Sequence, residues 1–207
     1  MKNRKQDIIQ ATLELAAENG LGTVSMQQIA DRVGITKASL YNHFSSREKI
    51  VEEMYEQLRD ASKKKAGGGN IEYDSLTADK SLKEILTAAV NSYRAMVNDP
   101  QMNLFYRIIM SERTINAAAA EIMVKETKTM INATKTIFYA LQVKGIADFQ
   151  DVDTAAFSFA MAVHAILDYE SDLKFAGMKE DKGKMQEYIN EFCRVYGKEK
   201  ENEQKTD

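Results

Sequence analysis

Hydrogen-bonding side chains crowd into residues 35–49, the stretch ITKASLYNHFSSREK, where hydroxyl, amide, imidazole and cationic groups alternate with a few apolar residues. Side chains of these types donate to phosphate oxygens and read the donors and acceptors on base edges. The chemistry that this stretch indicates is therefore recognition of a nucleic acid. The elements that must hold these side chains in place can be read from the capping residues around them.

Two very short helices flank a glycine turn in this region. Ser25 and Gln28 form a capping box that begins the first helix. Gly34 follows its end, where a left-handed conformation is needed, and Thr36 can cap the second helix. Neither helix buries enough surface alone, so the arrangement predicted is a helix-turn-helix.

Helices before and after this pair complete a small head. The first is indicated by Asn3 and Gln6, and the fourth, over residues 46–65, by Ser45 and Glu48. Apolar residues of the pair should face the shared core; they are Ile29, Val33, Ile35, Leu40 and Phe44. By elimination the polar residues point outward; they are Lys37, Ser39, Tyr41, Asn42, His43 and Arg47. In a helix-turn-helix the second helix lies in the major groove of DNA.

Residues 25–50, SMQQIADRVGITKASLYNHFSSREKI, resemble the signature of the TetR family of bacterial transcriptional regulators. The strong similarity covers about the first quarter of the chain. The total length and the position of the motif near the front also agree with the family. The sequence departs from the usual pattern at Gln27, Ala38 and Arg47, where arginine, glycine and lysine are more common.

The resemblance implies roles for the outward residues. Tyr41, His43 and Arg47 correspond to family residues that contact phosphates, and Thr36 would place its hydroxyl and a helix N-terminus against another phosphate. Lys37 and Ser39 correspond to positions that face the groove, with Gln27 reaching from the preceding helix. The residues predicted to bind DNA are Ser25, Gln27, Thr36, Lys37, Ser39, Tyr41, Asn42, His43, Arg47 and Lys49. The alternative is that Tyr41 and His43 only pack and that the charges form a solvated face.

The composition indicates an all-α protein. Only one proline and ten glycines interrupt 207 residues that are rich in helix formers, and the hydrophobic fraction of 44% excludes a disordered chain. A single cysteine excludes an internal disulfide, and the sequence shows no zinc-site spacing, signal peptide or membrane-spanning run. We therefore expect a soluble, cytoplasmic protein without cofactors.

The net charge of −3 is unevenly distributed. Residues 1–65 carry 11 basic and 9 acidic side chains, whereas the remainder carries 17 and 22. A negatively charged partner should therefore meet the front of the chain. The predicted organisation is a helix-turn-helix DNA-binding domain over 1–49, a connecting part of the fourth helix over 50–65, and a regulatory and dimerisation domain over 66–207.

The larger part of the chain begins with a glycine-rich segment, AGGGNIEYDSLTADK, which we interpret as a connector. Beyond it the sequence predicts helices near 81–98, 101–111, 114–143, 151–176 and 182–197. The resemblance implies that these helices bind a small-molecule effector and form a homodimer. No motif among them identifies the ligand.

Flexible methionine and aromatic side chains suit an apolar ligand. The predicted ligand-binding residues are Tyr55, Tyr93, Met96, Phe105, Tyr106, Met110, Phe138 and His164. For each of them, ordinary core packing is the alternative. A close-packing seam on the helix 151–176, together with the last helix, gives the predicted dimer interface; its residues are Ala156, Ala160, Val163, Leu167, Tyr188 and Phe192.

Catalytic and metal sites are not indicated by the sequence. His164, Asp168 and Asp172 are spaced four apart, but three ligands stacked on one helix span too far for a single ion. The chain has two histidines, no G-x-S-x-G elbow and no phosphate-cradling glycine loop. We therefore predict a non-enzymatic protein that binds no metal.

The function predicted is that of a repressor, which binds a palindromic double-stranded DNA operator as a homodimer and is released by a small apolar or amphipathic ligand. The fourth helix begins beside the DNA with Arg47 and ends against the regulatory half with Tyr55 and Leu58, so one rigid element can link the two sites. The alternative is a constitutive DNA-binding dimer or adaptor that has no physiological ligand.

Overall fold

The computed structural model describes residues 3–65, 80–179, 181 and 183–198. These residues form nine α-helices, which confirms the all-α prediction; they are α1 (Arg4–Asn19), α2 (Met26–Val33), α3 (Lys37–Tyr41), α4 (Arg47–Lys65), α5 (Leu82–Val97), α6 (Pro100–Glu112), α7 (Ala117–Val143), α8 (Val152–Phe175) and α9 (Lys184–Tyr196). One turn of 3₁₀-helix, Leu21–Thr23, lies between α1 and α2. Residues 66–79 of the predicted connector lie outside the described residues.

The chain forms two compact units that do not follow chain order. The first comprises Met1–Gly69 and Tyr93–Thr127, and the second comprises Asn70–Ser92 and Lys128–Asp207. The domain boundaries predicted from the sequence lie at residues 49 and 65, because a helical pattern indicates the sequence of elements along the chain and not their long-range packing. In the first unit α6 contacts α1, α4 and the 3₁₀ turn, which brings a part of the predicted regulatory half into contact with the head.

The head has a core to which each of four helices contributes. Ile8 of α1, Ile29 of α2, Leu40 of α3 and Ile50 of α4 are all 0% exposed. Burial of a side chain of this size stabilises a fold by roughly 1.5–3 kcal/mol. α3 has five residues and could not form alone, so this shared core is what holds it in place.

Side-chain capping interactions begin several helices, although Asn3 forms no such hydrogen bond at the start of α1. Ser25 and Gln28 form the capping box at α2, with the Ser25 Oγ accepting the Gln28 N–H at 3.2 Å and the Gln28 Oε1 accepting the Ser25 N–H at 2.8 Å. Asp99 caps α6 ahead of Pro100, since its Oδ1 accepts the N–H of Met102 at 3.4 Å. These local signals explain why the observed helices follow the predicted segments closely.

The starts of α4 and α7 differ from the prediction. The Oγ of Ser46, rather than that of Ser45, accepts the N–H of Lys49 at 3.3 Å as α4 begins. α7 begins at Ala117 rather than at residue 114, because the side chain of Asn116 accepts the N–H of Ala118 at 3.0 Å and caps the helix there.

The second unit is built around a cluster of aromatic rings. The ring of Phe138 is stacked on that of Phe149, with centroids 4.7 Å apart, and lies 5.6 Å from the ring of Phe192. Phe159 closes the cluster at 4.8 Å from Phe192. The loop after α7 is attached to the end of α9, where the N–H of Asp148 donates to the Tyr196 carbonyl at 2.8 Å. Phe138 and Phe192 are therefore core residues of this unit.

Three residues of the predicted dimer interface on α8 lie in the core of their own unit. Ala156, Ala160 and Val163 are 0%, 2% and 4% exposed, because these small residues pack against the core of their own unit. A partner could cover almost none of their surface. Exposed apolar side chains of α8 include Phe157 at 51%, Met161 at 37% and Tyr169 at 48% exposure on another face of the helix, and Phe175 at its end is 82% exposed.

Among the helices that the structure describes, none combines the length and the apolar content needed to cross a lipid bilayer.

Candidate nucleic-acid interface

The turn between α2 and α3 has the geometry that the sequence predicts. Gly34 adopts a left-handed conformation with φ 73° and ψ 39°, which glycine alone adopts without strain from a Cβ. The N–H of Ile35 returns to the Ala30 carbonyl at 3.0 Å, and the Thr36 Oγ1 accepts the N–H of Ser39 at 3.1 Å. The end of α2 and the start of α3 are thus each fixed by a local hydrogen bond.

α3 presents opposite chemistry on its two faces. Leu40 is fully buried and Phe44, just after the helix, is buried beside it. Lys37 and Tyr41 are exposed, with 47% of the Tyr41 surface accessible. The apolar residues therefore anchor α3 to the head, as predicted, and polar side chains extend from it into solvent.

Other predicted DNA-binding residues already have partners within the chain. The Gln27 Nε2 donates to Asp31 at 2.8 Å, and the Lys49 Nζ donates to Glu52 at 2.6 Å. The hydrogen bond to Glu52 raises the pKa of Lys49, so the ammonium stays charged at neutral pH. A phosphate or base would share these groups with the carboxylates. Of the remaining predicted residues, Thr36 and Asn42 are exposed, whereas Ser39 and His43 are half-buried.

Arg47 holds the turn that precedes α2. Its Nη1 lies 3.0–3.2 Å from the carbonyl oxygens of Leu21, Gly22 and Val24, and its Nη2 lies 3.3 Å from a carboxylate oxygen of Glu48. The planar guanidinium can serve several acceptors at once. The sequence indicates only a phosphate contact for Arg47, which stays a prediction, and the structure adds this role within the fold.

Glu112 also holds this turn, through a backbone N–H. This buried residue at the end of α6 accepts the N–H of Gly22 at 2.7 Å through its Oε1, and its Oε2 lies 3.3 Å from the amide nitrogen of Asn116. A segment of the predicted regulatory half is therefore hydrogen-bonded directly to the backbone of the head. The sequence gives little indication of this contact. Glu112 is recognisable only as an acidic residue at the end of an apolar run, and its partner is a backbone group 90 positions away.

The surface beside α3 ends in a groove of mixed charge. This open groove of about 430 Å³ is lined by Lys5, His43, Phe44, Ser45, Lys49, Glu52, Glu53 and Glu56. Lys5 lies over the Phe44 ring, 5.4 Å from its centroid. Three carboxylates on α4 repel phosphate, so the groove limits the area that DNA can cover.

Six of the predicted ligand-binding residues fall in the first unit, where the structure shows how Tyr55 is held. Its hydroxyl donates to the Glu126 Oε2 at 2.6 Å, and its ring lies 6.2 Å from that of Phe105. Tyr55, Met96 and Phe105 are buried, while Tyr93, Tyr106 and Met110 are half-buried.

Phe138 and His164 belong to the second unit. Phe138 is at the centre of the aromatic cluster, and the His164 Nε2 lies 3.6 Å from an Asp168 oxygen one helical turn away. Within the described residues, no group of three histidine, cysteine or acidic side chains is arranged to hold a metal ion.

These features define a protein of the helix-turn-helix DNA-binding class. Residues 8–54 match bacterial regulatory proteins of the tetR family, and residues 84–198 match the C-terminal domain of AefR-like transcriptional repressors. The chain belongs to the TetR family, which confirms the resemblance, and is a DNA-binding transcriptional regulator. Regulators of this family are non-enzymatic.

Individual relatives add to this result. The transcriptional repressor KstR2 of Mycolicibacterium smegmatis is 36% identical over 58 residues, which is 28% of this chain and 28% of that protein. The flavonoid-responsive regulator FrrA has a TM-score of 0.73 at 19% identity, covering 97% of this chain and 100% of its own. SmeT in complex with triclosan has a TM-score of 0.71 at 13% identity, covering 96% and 93%. At such identities the two structures show a common fold.

We predict that Arg47→Ala lowers the free energy of unfolding by about 1–3 kcal/mol, because backbone carbonyls of the turn lose a cationic donor. Arg47→Lys should recover little of this stability, since an ammonium lacks the planar fork. Urea denaturation followed by helical circular dichroism measures both.

Lys37→Ala is the matched control, because it removes an exposed cation from the same head and should change the free energy of unfolding by less than about 0.5 kcal/mol. Equal stability of the Arg47→Ala and Lys37→Ala proteins would contradict the structural role of Arg47.

Proposed function

We propose that this regulator is a repressor that binds a palindromic operator as a homodimer, and that a small apolar or amphipathic effector releases it from DNA. The observation that carries the proposal is the two-faced α3, in which buried Leu40 fixes the helix and exposed Lys37 and Tyr41 extend from it. A helix held in this way presents its N-terminal residues to base edges in the major groove.

The predicted contacts divide into two kinds. Tyr41, His43 and Thr36 are proposed to bind phosphates, which position the protein but carry no sequence information. Lys37 and Ser39 are proposed to read bases, because lysine donates to the guanine acceptors O6 and N7 and serine bonds to several bases.

One head of this size offers too small an interface for tight specific binding, so two heads are needed. We place the dimer contact on the exposed side of α8, at Phe157, Met161 and Tyr169. Val195 of α9, in the same unit, is a further exposed apolar residue, at 56%. A two-fold contact there gives a palindromic site, since operator symmetry follows protein symmetry.

Three features support control by an effector. SmeT binds triclosan, FrrA is flavonoid-responsive, and both share the fold along nearly the whole chain. KstR2 is a repressor, as is the group that the C-terminal part matches. Within the first unit, α4 carries Arg47 at its start and Tyr55 further along, so a change at Tyr55 acts on the same rigid helix that holds the turn before α2.

The alternative is a constitutive DNA-binding dimer or adaptor. Dense packing favours it, because Phe138, a predicted ligand-binding residue, is fully buried among other aromatic rings. The release experiment below separates the two functions.

The first prediction concerns DNA recognition. Selection from genomic fragments should enrich a palindrome, and Tyr41→Phe should weaken binding to all sequences alike because it removes a phosphate donor. Lys37→Ala should relax the base preference at one position of each half-site at a cost of about 1–3 kcal/mol. Lys64→Ala, which removes an exposed charge near the end of α4, is the control. Failure to enrich any sequence would refute specific binding.

The second prediction concerns assembly. Met161→Glu should convert the dimer to a monomer in sedimentation at micromolar concentration, because it places a charge in an apolar contact on both sides of the two-fold axis. Val124→Glu is the control, since Val124 is 52% exposed but belongs to the first unit. An unchanged mass for Met161→Glu would show that the interface lies elsewhere.

The third prediction concerns release. Small molecules that stabilise the protein in a thermal-shift screen should weaken operator binding when titrated into the preformed complex. The coupling expected is about 1–3 kcal/mol, a factor of roughly 5–150 in operator affinity. If a chemically broad set of stabilising molecules leaves operator affinity unchanged, the constitutive alternative is favoured.

A further inference from the structure

In one buried carboxylate of the first unit, only one of the two oxygens accepts a hydrogen bond from the described residues. Glu126 on α7 is 3% exposed, and its Oε2 accepts hydrogen bonds from the Tyr55 hydroxyl at 2.6 Å and from the Arg59 Nε at 2.7 Å. Its Oε1 is buried and receives no hydrogen bond from the described residues. A buried acceptor without a donor costs free energy, so such atoms are rare unless a water or a ligand completes them.

The charge of this cluster is balanced. Arg59 is largely buried beside Glu126, and although burial disfavours its charged form, the carboxylate outweighs this effect and raises the pKa of Arg59. Burial and the hydrogen bond to Glu126 raise the pKa of Tyr55, so its hydroxyl keeps the proton that it donates. A cationic ligand would add an uncompensated charge, and an anion would be repelled by the carboxylate.

The surroundings of the carboxylate are apolar. Phe105 packs near the Tyr55 ring, and Met123, one turn before Glu126 on α7, is buried in the same core cluster. An effector at this position would therefore meet carbon surfaces with a single strong acceptor among them.

We propose that the Oε1 of Glu126 accepts a hydrogen bond from the effector, and that the effector is a neutral, largely apolar molecule with a hydroxyl donor, such as a phenol or an alcohol. This inference rests on the proposed function. The same carboxylate binds α4 through Tyr55 and Arg59, so a hydroxyl at Oε1 acts directly on the group that holds α4.

The test compares two probes that differ only in the donor. 2-Naphthol and its methyl ether, 2-methoxynaphthalene, are titrated into the full-length protein and followed by calorimetry. The protein should bind the naphthol at least about tenfold more tightly, since a hydrogen bond to a charged group is among the stronger ones. Glu121→Gln, an exposed position on the same helix, is the matched control and should keep this preference.

Glu126→Gln should reduce the preference to about one. Tyr55 and Arg59 are both donors and will hold the amide oxygen at the place of Oε2, so the NH₂ group takes the place of Oε1 and offers a donor instead of an acceptor. Tyr55→Phe retains the carboxylate and should keep the preference for naphthol. This second variant tests the inference even if Glu126→Gln does not fold.

Equal affinity of the wild-type protein for the two probes, or no binding of either, would overturn the inference and indicate that a water completes Oε1. Loss of the preference in Tyr55→Phe would also overturn it, because the tyrosine would then be the recognising group. A ligand without a donor that releases operator from wild type and Glu126→Gln alike would overturn it while leaving effector release intact. A Glu126-dependent preference for naphthol without any change in operator affinity would support the site and contradict release.

Discussion

The position of the helix-turn-helix depends on the short turn between α1 and α2, which the side chains of Arg47 and Glu112 hold through its backbone. Arg47 donates to its carbonyl oxygens, and Glu112 accepts the N–H of Gly22. Hydrogen bonds with a charged partner are roughly twice as strong as neutral ones. Because α2 begins directly after this turn, the two side chains determine where the backbone enters the recognition motif. The DNA contacts proposed for the exposed residues of α3 depend on the position of this entry point.

α4 takes part in two hydrogen-bond networks, one at the turn before α2 and one at Glu126. Arg47 at its first position binds the turn, and Arg59 binds Glu126 from a position 12 residues later, which corresponds to about 18 Å along the helix axis. A helix of this length transmits displacement with little loss, since its own backbone hydrogen bonds resist bending. For the effector proposed at Glu126, the free energy gained by favouring one position of α4 sets the upper limit on the loss of operator binding.

The sequence predicts what is local and misses what is distant. The capping box at Ser25 and the left-handed Gly34 were readable because their partners lie within a few residues. The contact of Glu112 with Gly22 was not, because nothing near either residue identifies the other. The alanines of α8 show a third case. Small residues predict close packing, but periodicity does not distinguish packing in the chain's own core from packing against a partner. Ala156 is buried in the core of its own unit. The set of residues predicted to contact DNA rests on the family resemblance as much as on the outward position of the polar side chains.

Arg47 and Glu112 bind only backbone atoms of the turn. Carbonyl oxygens and one amide N–H are present whatever side chains occupy residues 21–24, so the bonds made by Arg47 and Glu112 impose little restriction on those positions. The exposed side chains of α3 can therefore change while Arg47 and Glu112 keep the same backbone hydrogen bonds. The attachment therefore does not depend on the side chains of the turn. This suits a family whose members keep one architecture while they change the genes they control.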